Sequence, residues 1–213
     1  MISEQPARVA TDDWLNRWLP LIAERNALHS AGGNADILEL GCGDGRDTAT
    51  LIDAGHCVTG IDLSSASIAR AQARARALTE ARANRASLHC QDIREPFPLA
   101  SCRVVVASLS LHYFSWPDTL ALVERIRQTL TVEGILLCRL NSVNDHHYGA
   151  SGHPEIEPDY YRVDGEAKRF FDEAAVNRMF SRGWRRLHLE ETVIDRYEFP
   201  KSAWEVVVEK FAP

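Results

Sequence analysis

The run Ile37-Leu38-Glu39-Leu40-Gly41-Cys42-Gly43-Asp44-Gly45-Arg46-Asp47 constrains this chain more than any other. An apolar stretch ends in an acid and opens into three alternating glycines, and a helix-forming segment follows. Alternate glycines let the backbone take positive φ and let a ligand approach to van der Waals distance. The loop closes where a helix begins, so free N–H groups face the space above it. The pattern predicts strand, turn and helix, with a nucleotide-like cofactor over the turn. A dinucleotide fingerprint reads G-x-G-x-x-G, but here Arg46 stands where the third glycine belongs. No Gly-Lys-Ser/Thr follows, which excludes a P-loop. Asp44 would repel a pyrophosphate, so the loop favours a ligand with a positive centre and no phosphate.

Two further acids sit at strand ends. Cys57-Val58-Thr59-Gly60-Ile61-Asp62 reads as a short buried strand ending in a carboxylate. Asp62 follows the glycine turn by roughly 20 residues, the spacing at which an acid meets ribose hydroxyls. Ser87-Leu88-His89-Cys90-Gln91 reads as another strand, ending at Asp92-Ile93. Asp92 can accept from an adenine amino group while Ile93 packs on the ring.

Strands and helices alternate along the chain, which predicts a parallel sheet covered on both faces. Helices are expected over Asp12–Arg25, Thr48–Ala54, Ser64 or Ser65 to Ala83, Thr119–Leu130 and Asp172–Phe180. Strands are expected over Ala35–Leu40, Cys57–Asp62, Ser87–Gln91, Arg103–Ser108 and Gly134–Leu140. Leu187–Val193 and Ala203–Val208 close the chain as two more β-rich runs.

The motif set Glu39-Leu40-Gly41-Cys42-Gly43-Asp44-Gly45, Asp62-Leu63-Ser64 and Gln91-Asp92-Ile93 resembles that of class I S-adenosylmethionine-dependent methyltransferases. The likeness runs on through Ser108-Leu109-Ser110-Leu111-His112-Tyr113-Phe114 and Gly134-Ile135-Leu136-Leu137. It spans residues 35 to 140 in the expected order. It implies a Rossmann-like α/β fold: a doubly wound, mostly parallel seven-stranded sheet with an antiparallel last strand. It also implies S-adenosyl-L-methionine as cofactor, held by Glu39, Gly41, Cys42, Gly43, Asp44, Asp62, Leu63, Asp92, Ile93 and Ser108. Glu133-Gly134 stands where the family usually has a Gly-Gly pair. The Gly-Arg-Asp-Thr and Ala-Gly-His-x-Val-x-Gly-Ile-Asp segments are similar to tellurite-resistance and thiopurine-type methyltransferases.

Ligands of open α/β sheets bind beyond the carboxyl ends of the strands, so catalytic groups should follow strands four and five. His112 is a candidate base and Tyr113 a candidate orienting group. Asn141 is closest to the end of strand five, and Asp145 with His146 or His147 can form a base with its orienting acid. The same polar loop can instead serve to cap turns. Asp145, His146, His147 and His153 are ligand types for zinc or iron. They lack the spacing of a known site, so no metal is expected.

Residues 141–171 are expected to form a lid-like insert without clear secondary structure, and residues 1–30 a helical cover. Trp14, Trp18, Tyr148, Tyr160 and Arg169 are the candidate acceptor-binding residues, with Lys168 and Arg169 able to hold an anionic group or simply to face solvent. Residues 1–213 are expected to form a single domain.

Length and composition bound the partners. A chain of 213 residues with 45% hydrophobic and 25% charged content is ordinary for a globular protein. The start shows neither the apolar core nor the basic lead of a signal peptide, and the longest apolar stretch is too short for a bilayer. Five cysteines without a C-x-x-C pair suit a reduced, cytoplasmic protein. Twenty-four basic against 30 acidic residues give a net charge of −6, which argues against nucleic acid. A small-molecule methyl acceptor and a monomer or homodimer are expected. A protein or RNA methyltransferase, or a cofactor-binding protein without turnover, are the alternatives.

Overall fold

The computed structural model describes residues 12–27, 37–78 and 80–211. Its centre is a seven-stranded sheet. The strands are β1 (Ile37–Leu40), β2 (Val58–Asp62), β3 (Ala86–Cys90), β4 (Cys102–Ser108), β5 (Leu130–Asn141), β9 (Trp184–Ile194) and β10 (Lys201–Lys210). Their spatial order is β3-β2-β1-β4-β5-β10-β9. The first five pair in parallel, while β10 runs antiparallel to both β5 and β9. The chain therefore winds outward in two directions from β1 and β4. A crevice opens beyond their carboxyl ends, where the winding reverses.

Alternation along the central strands fills both faces. Leu38, Leu40, Val105, Ala107, Leu136 and Cys138 point to one side. There they meet α5 (Trp116–Thr129) and α6 (Glu173–Met179) through residues such as Leu122, Ile126 and Val176. Ile37, Val104, Val106, Ile135 and Leu137 point to the other. That side is covered by α1 (Leu19–Ala27), α2 (Arg46–Asp53) and α3 (Ser65–Leu78), which bring Ile22, Leu51, Ile52 and Ala75. A short helix, α4 (Glu80–Ala83), leads to β3.

Several boundaries differ from the expected ones for local reasons. The N-terminal helix starts at Leu19, after a 3-10 turn over Asn16–Trp18. Pro20 is tolerated only in a first helical turn, which keeps α1 from starting at Asp12. α5 starts three residues earlier than Thr119 because Ser115 caps it, its Oγ accepting from Asp118 N–H at 3.3 Å, with proline in the first turn. Ser64 caps α3 through Ser67 N–H at 3.2 Å. Ala35 and Asp36 of the expected first strand, and parts of the 1–30 cover, lie outside the described residues.

The largest difference is the insert. Residues 149–171 are not structureless. They contain a three-stranded antiparallel sheet of β6 (Glu155–Glu157), β7 (Tyr160–Val163) and β8 (Glu166–Arg169). Asp164 and Gly165 both take positive φ, 52° and 88°, and join β7 to β8 by a two-residue turn. Asp-Gly is the preferred chemistry for such a hairpin. Glu133 also takes φ 62°, in the left-handed region that favours glycine. A side chain there carries the strain that a glycine avoids.

Candidate functional site

The glycine loop turns directly off β1. Gly41 has φ 71°, and a Cβ on it would lie 2.4 Å from the Cβ of Ser110. Ser110 belongs to the loop after β4, and its Oγ donates to Leu40 O at 2.6 Å. The loops after β1 and β4 are thus closely joined. Gly43 has φ 53°, and nothing stands within 4 Å of where its Cβ would be. Its N–H donates to Asp62 Oδ2 at 2.9 Å, while Ser64 N–H donates to Oδ1 at 2.9 Å. Asp62 therefore clamps the glycine loop to the end of β2.

The crevice above these loops has a volume of about 750 Å³. Its floor is Gly41, Cys42, Gly43 and Asp44, and one flank is Asp62, Leu63, Asp92 and Ile93. Ser108, Tyr113, Phe114, Lys168, Arg196 and Tyr197 also line it. Asp92 is held by Arg94, with Nη2 at 2.6 Å from Oδ2, and these hydrogen bonds keep the carboxyl below its ordinary range. Ser108 Oγ accepts from Nε and Nη2 of Arg139 at 2.9 and 2.8 Å.

Two buried acids lie at the inner end. Glu39 accepts from Thr48 Oγ1 at 2.5 Å. Burial, then the nearby Asp47, pushes its carboxyl well above the ordinary range. Burial also raises Asp47, although Arg139 and the Trp14 indole oppose the rise. Trp14 Nε1 donates to both Asp47 oxygens at 3.1 and 3.2 Å, and the Arg139 guanidinium lies over the Trp14 ring at 4.6 Å. Arg139 also donates to Asp12 Oδ1 at 2.8 Å. Neither Asp47 nor this Asp12–Arg139–Trp14 assembly was expected from sequence. The Asp47 signal was its place on the first helical turn after the glycines; nothing local announces the long-range partners.

These carboxylates match a ligand that is cationic at one end and carries hydroxyls at the other. The linkage has a definite sign. Because the Glu39 carboxyl titrates higher in the folded chain than in the unfolded one, stability falls as pH rises from its ordinary value of 4.5 through the folded value. Glu39→Gln should therefore raise apo stability at pH 7 by about 1–2 kcal/mol, because a buried unpaired charge is removed. It should weaken binding of a cationic ligand by about tenfold, ~1.4 kcal/mol. Thermal melts with and without ligand should show changes of opposite sign.

All ten cofactor-site candidates lie on this crevice. Of the other candidates, Tyr113 and Lys168 line it, and Tyr113 has the titratable hydroxyl. Burial, then Tyr197, Glu166 and Asp62, raises its phenol, which keeps the hydroxyl protonated. His112 lies behind it, 3% exposed, with ring centroids 4.2 Å apart. Burial, then Lys201 and Lys168, holds the imidazole well below its ordinary range, and Nδ1 has no partner. Asn141 is buried under β10 opposite Ala203, with Oδ1 also unpartnered.

The remaining candidates stand apart from the crevice lining. Asp145 is buried, 2.5 Å from Lys201 Nζ, and also accepts from Ser202 N–H at 3.2 Å. A carboxylate tied to a buried ammonium is not a free base. His146 is exposed in a short 3-10 turn. Tyr148 Oη donates to Phe199 O at 3.0 Å, and Trp18 Nε1 donates to Glu205 at 2.5 Å. Tyr160 Oη donates to Tyr113 O at 3.0 Å. Arg169 donates to Phe114 O and Pro158 O, both at 3.2 Å, and pairs with Glu157. Tyr160 and Arg169 thus fasten the small sheet to the loop after β4.

Residues 37–134 match a family model described as a methyltransferase domain. No curated protein matches the sequence. Among solved structures, a SAM-dependent methyltransferase from Methanosarcina mazei is similar at a TM-score of 0.72 and 17% identity, over 91% of this chain and 98% of that one. The 1,6-didemethyltoxoflavin-N1-methyltransferase of Burkholderia thailandensis gives a TM-score of 0.65 at 19% identity, over 94% and 82%. The magnesium protoporphyrin IX methyltransferase of Synechocystis gives 0.62 at 15%, over 98% and 86%. At these identities the likeness is one of fold. Residues 37–134 thus resemble a methyltransferase domain, and the chain adopts the Rossmann-like fold of these structures.

Proposed function

We propose that the enzyme methylates a small-molecule nucleophile in the cytoplasm. In this reading residues 1–213 act as one domain, with the N-terminal helix and the 141–171 insert as covers. The observation that carries it is the crevice. Its volume of about 750 Å³ lies within the range of small-molecule sites and has room for a cofactor and a modest acceptor. The sheet β6–β8 is fastened beside it by Tyr160 and Arg169, which favours an enclosed acceptor over a polymer in an open groove. A net charge of −6 is also poorly suited to a phosphate backbone. All five cysteines are free, in keeping with a reducing compartment.

When bound, the cofactor supplies an electrophilic methyl group on a positively charged sulfur. The protein holds and orients. Asp62 accepts from the ribose hydroxyls. Asp92 would accept from the adenine amino group in competition with Arg94, whose backbone N–H and guanidinium donate to both of its oxygens, and Ile93 would pack on the ring. Glu39 and Asp47 face the cationic end. Tyr113, protonated, donates to the acceptor and aligns its nucleophilic atom, so that rate comes chiefly from positioning. The nucleophile gives up its proton to solvent. His112, neutral at physiological pH, stacks behind Tyr113 as a positioning residue.

Two outcomes follow. His112→Gln should lower kcat several-fold while leaving cofactor Kd within about twofold, since only Tyr113 loses its backing. In the wild type, protonating His112 should lower the rate only well below pH 6.5, and the variant should lack that acid limb. An unchanged acid limb in the variant would move the positioning role elsewhere. The function itself is tested by incubating the enzyme with methyl-tritiated S-adenosylmethionine and separate small-molecule, protein and RNA fractions of a cell extract. Label should enter the small molecules. Label in protein or RNA would overturn the reading, and cofactor binding without label would indicate a protein that does not turn over.

A further inference from the structure

Lys168 differs from every other cation on the crevice wall. Arg46 lies 3.5 Å from Asp44, Arg94 lies 2.6 Å from Asp92, and Arg196 lies 3.3 Å from Asp12. Lys168 lines the same crevice, is half-buried, and forms no ion pair or hydrogen bond among the described residues. Its neighbour Arg169 points to the opposite face of β8 and is consumed in fastening that strand to Phe114 O, Pro158 O and Glu157. Alternation along the strand therefore splits the basic pair into one structural cation and one that faces the ligand space. Glu166 shares the face of Lys168 two positions away but is exposed and not paired with it.

The surroundings of Lys168 are electropositive. Lys201 and His112 are near enough for its charge to disfavour their protonated forms. Lys201 is neutralised by Asp145, whereas Lys168 has no such partner. It lines the crevice together with Tyr113 and Tyr197. A half-buried ammonium without a counter-ion is a ready partner for an anion, and a single point charge suits a carboxylate or phosphate in either orientation.

We propose that the methyl acceptor carries an anionic group, a carboxylate or phosphate, and that Lys168 binds it beside Tyr113. This rests on the small-molecule reading above and names its substrate class. It makes Lys168 the residue that selects the acceptor and leaves the cofactor site untouched.

The experiment divides a cell's metabolite extract by anion exchange before the reaction. Retained and unretained fractions are each incubated with enzyme and methyl-tritiated S-adenosylmethionine. Label should enter molecules of the retained fraction. Lys168→Gln should lower that labelling at limiting acceptor by roughly tenfold to a hundredfold, the worth of one hydrogen bond to a charged group. Lys168→Arg should keep most of it, and calorimetry with S-adenosylmethionine should give both variants a Kd within about twofold of wild type. Phosphatase treatment of the retained fraction separates the two chemistries: labelling that survives belongs to a carboxylate, and labelling that is lost belongs to a phosphate. Label confined to the unretained fraction, or equal labelling by wild type and a folded Lys168→Gln, overturns the proposal. Label in neither fraction overturns the small-molecule reading and this inference with it.

Discussion

Asp62→Ala should weaken S-adenosylmethionine binding by at least about tenfold, ~1.4 kcal/mol, and nearer a hundredfold if both ribose bonds are lost. The carboxylate occupies two positions in the account. It is the proposed ribose acceptor, and it ties Gly43 N–H and Ser64 N–H to the end of β2 at 2.9 Å each. Alanine therefore removes the contact to the ligand and frees the loop that lies under it. Asp62→Asn keeps one acceptor oxygen and should fall between wild type and alanine. Calorimetry on folded variants measures all three. Wild-type affinity in Asp62→Ala would mean that the ribose lies elsewhere.

Gly41→Ala should destabilise the fold by about 3 kcal/mol. Left-handed backbone on a residue with a Cβ costs roughly 1–2 kcal/mol, and overpacking adds about 1–3 kcal/mol. The new Cβ would lie 2.4 Å from Ser110 Cβ, so the loops after β1 and β4 must part. For a chain of this size the melting temperature should drop by roughly 6–12 °C. Gly43→Ala is the informative contrast. It shares the left-handed φ, at 53°, but its Cβ would meet nothing within 4 Å. It should cost only about 1–2 kcal/mol of stability, while its methyl group enters the ligand's space and lowers cofactor affinity. Melting and binding measured on both variants separate them. Equal stability losses would show that Ser110 yields easily.

The glycine loop and the strand-end acids were legible because their chemistry is local. A turn, a helix start and a carboxylate at a fixed spacing each leave a mark within a few residues. The alternation of β1, β4 and β5 was legible for the same reason, as both faces of a central strand must be apolar. Tyr160-Tyr161-Arg162-Val163, Asp164-Gly165 and the segment after them carried a hairpin signal that the surrounding His, Pro and Gly residues masked. The polar loop after β5 was legible as chemistry but not as position. Asp145 meets Lys201, 56 residues later, and that pairing takes it out of reach of an acceptor. The Arg139 assembly likewise depends on Asp12, 127 residues earlier. Lys168 and Arg169 are adjacent in sequence and opposite in consequence. Only the registry of β8 against β7 tells them apart.

The central claim is that Asp62 and Asp92 hold the adenosine half of the cofactor while its cationic end faces Glu39 and Asp47. A crystal structure of the enzyme with S-adenosylhomocysteine tests it most directly. The account predicts ribose hydroxyls within hydrogen-bond distance of Asp62, adenine against Ile93, and the homocysteine amine toward Glu39 and Asp47. Ligand density elsewhere in the molecule, or an adenosine lying reversed in the crevice with its base toward Glu39, would contradict it.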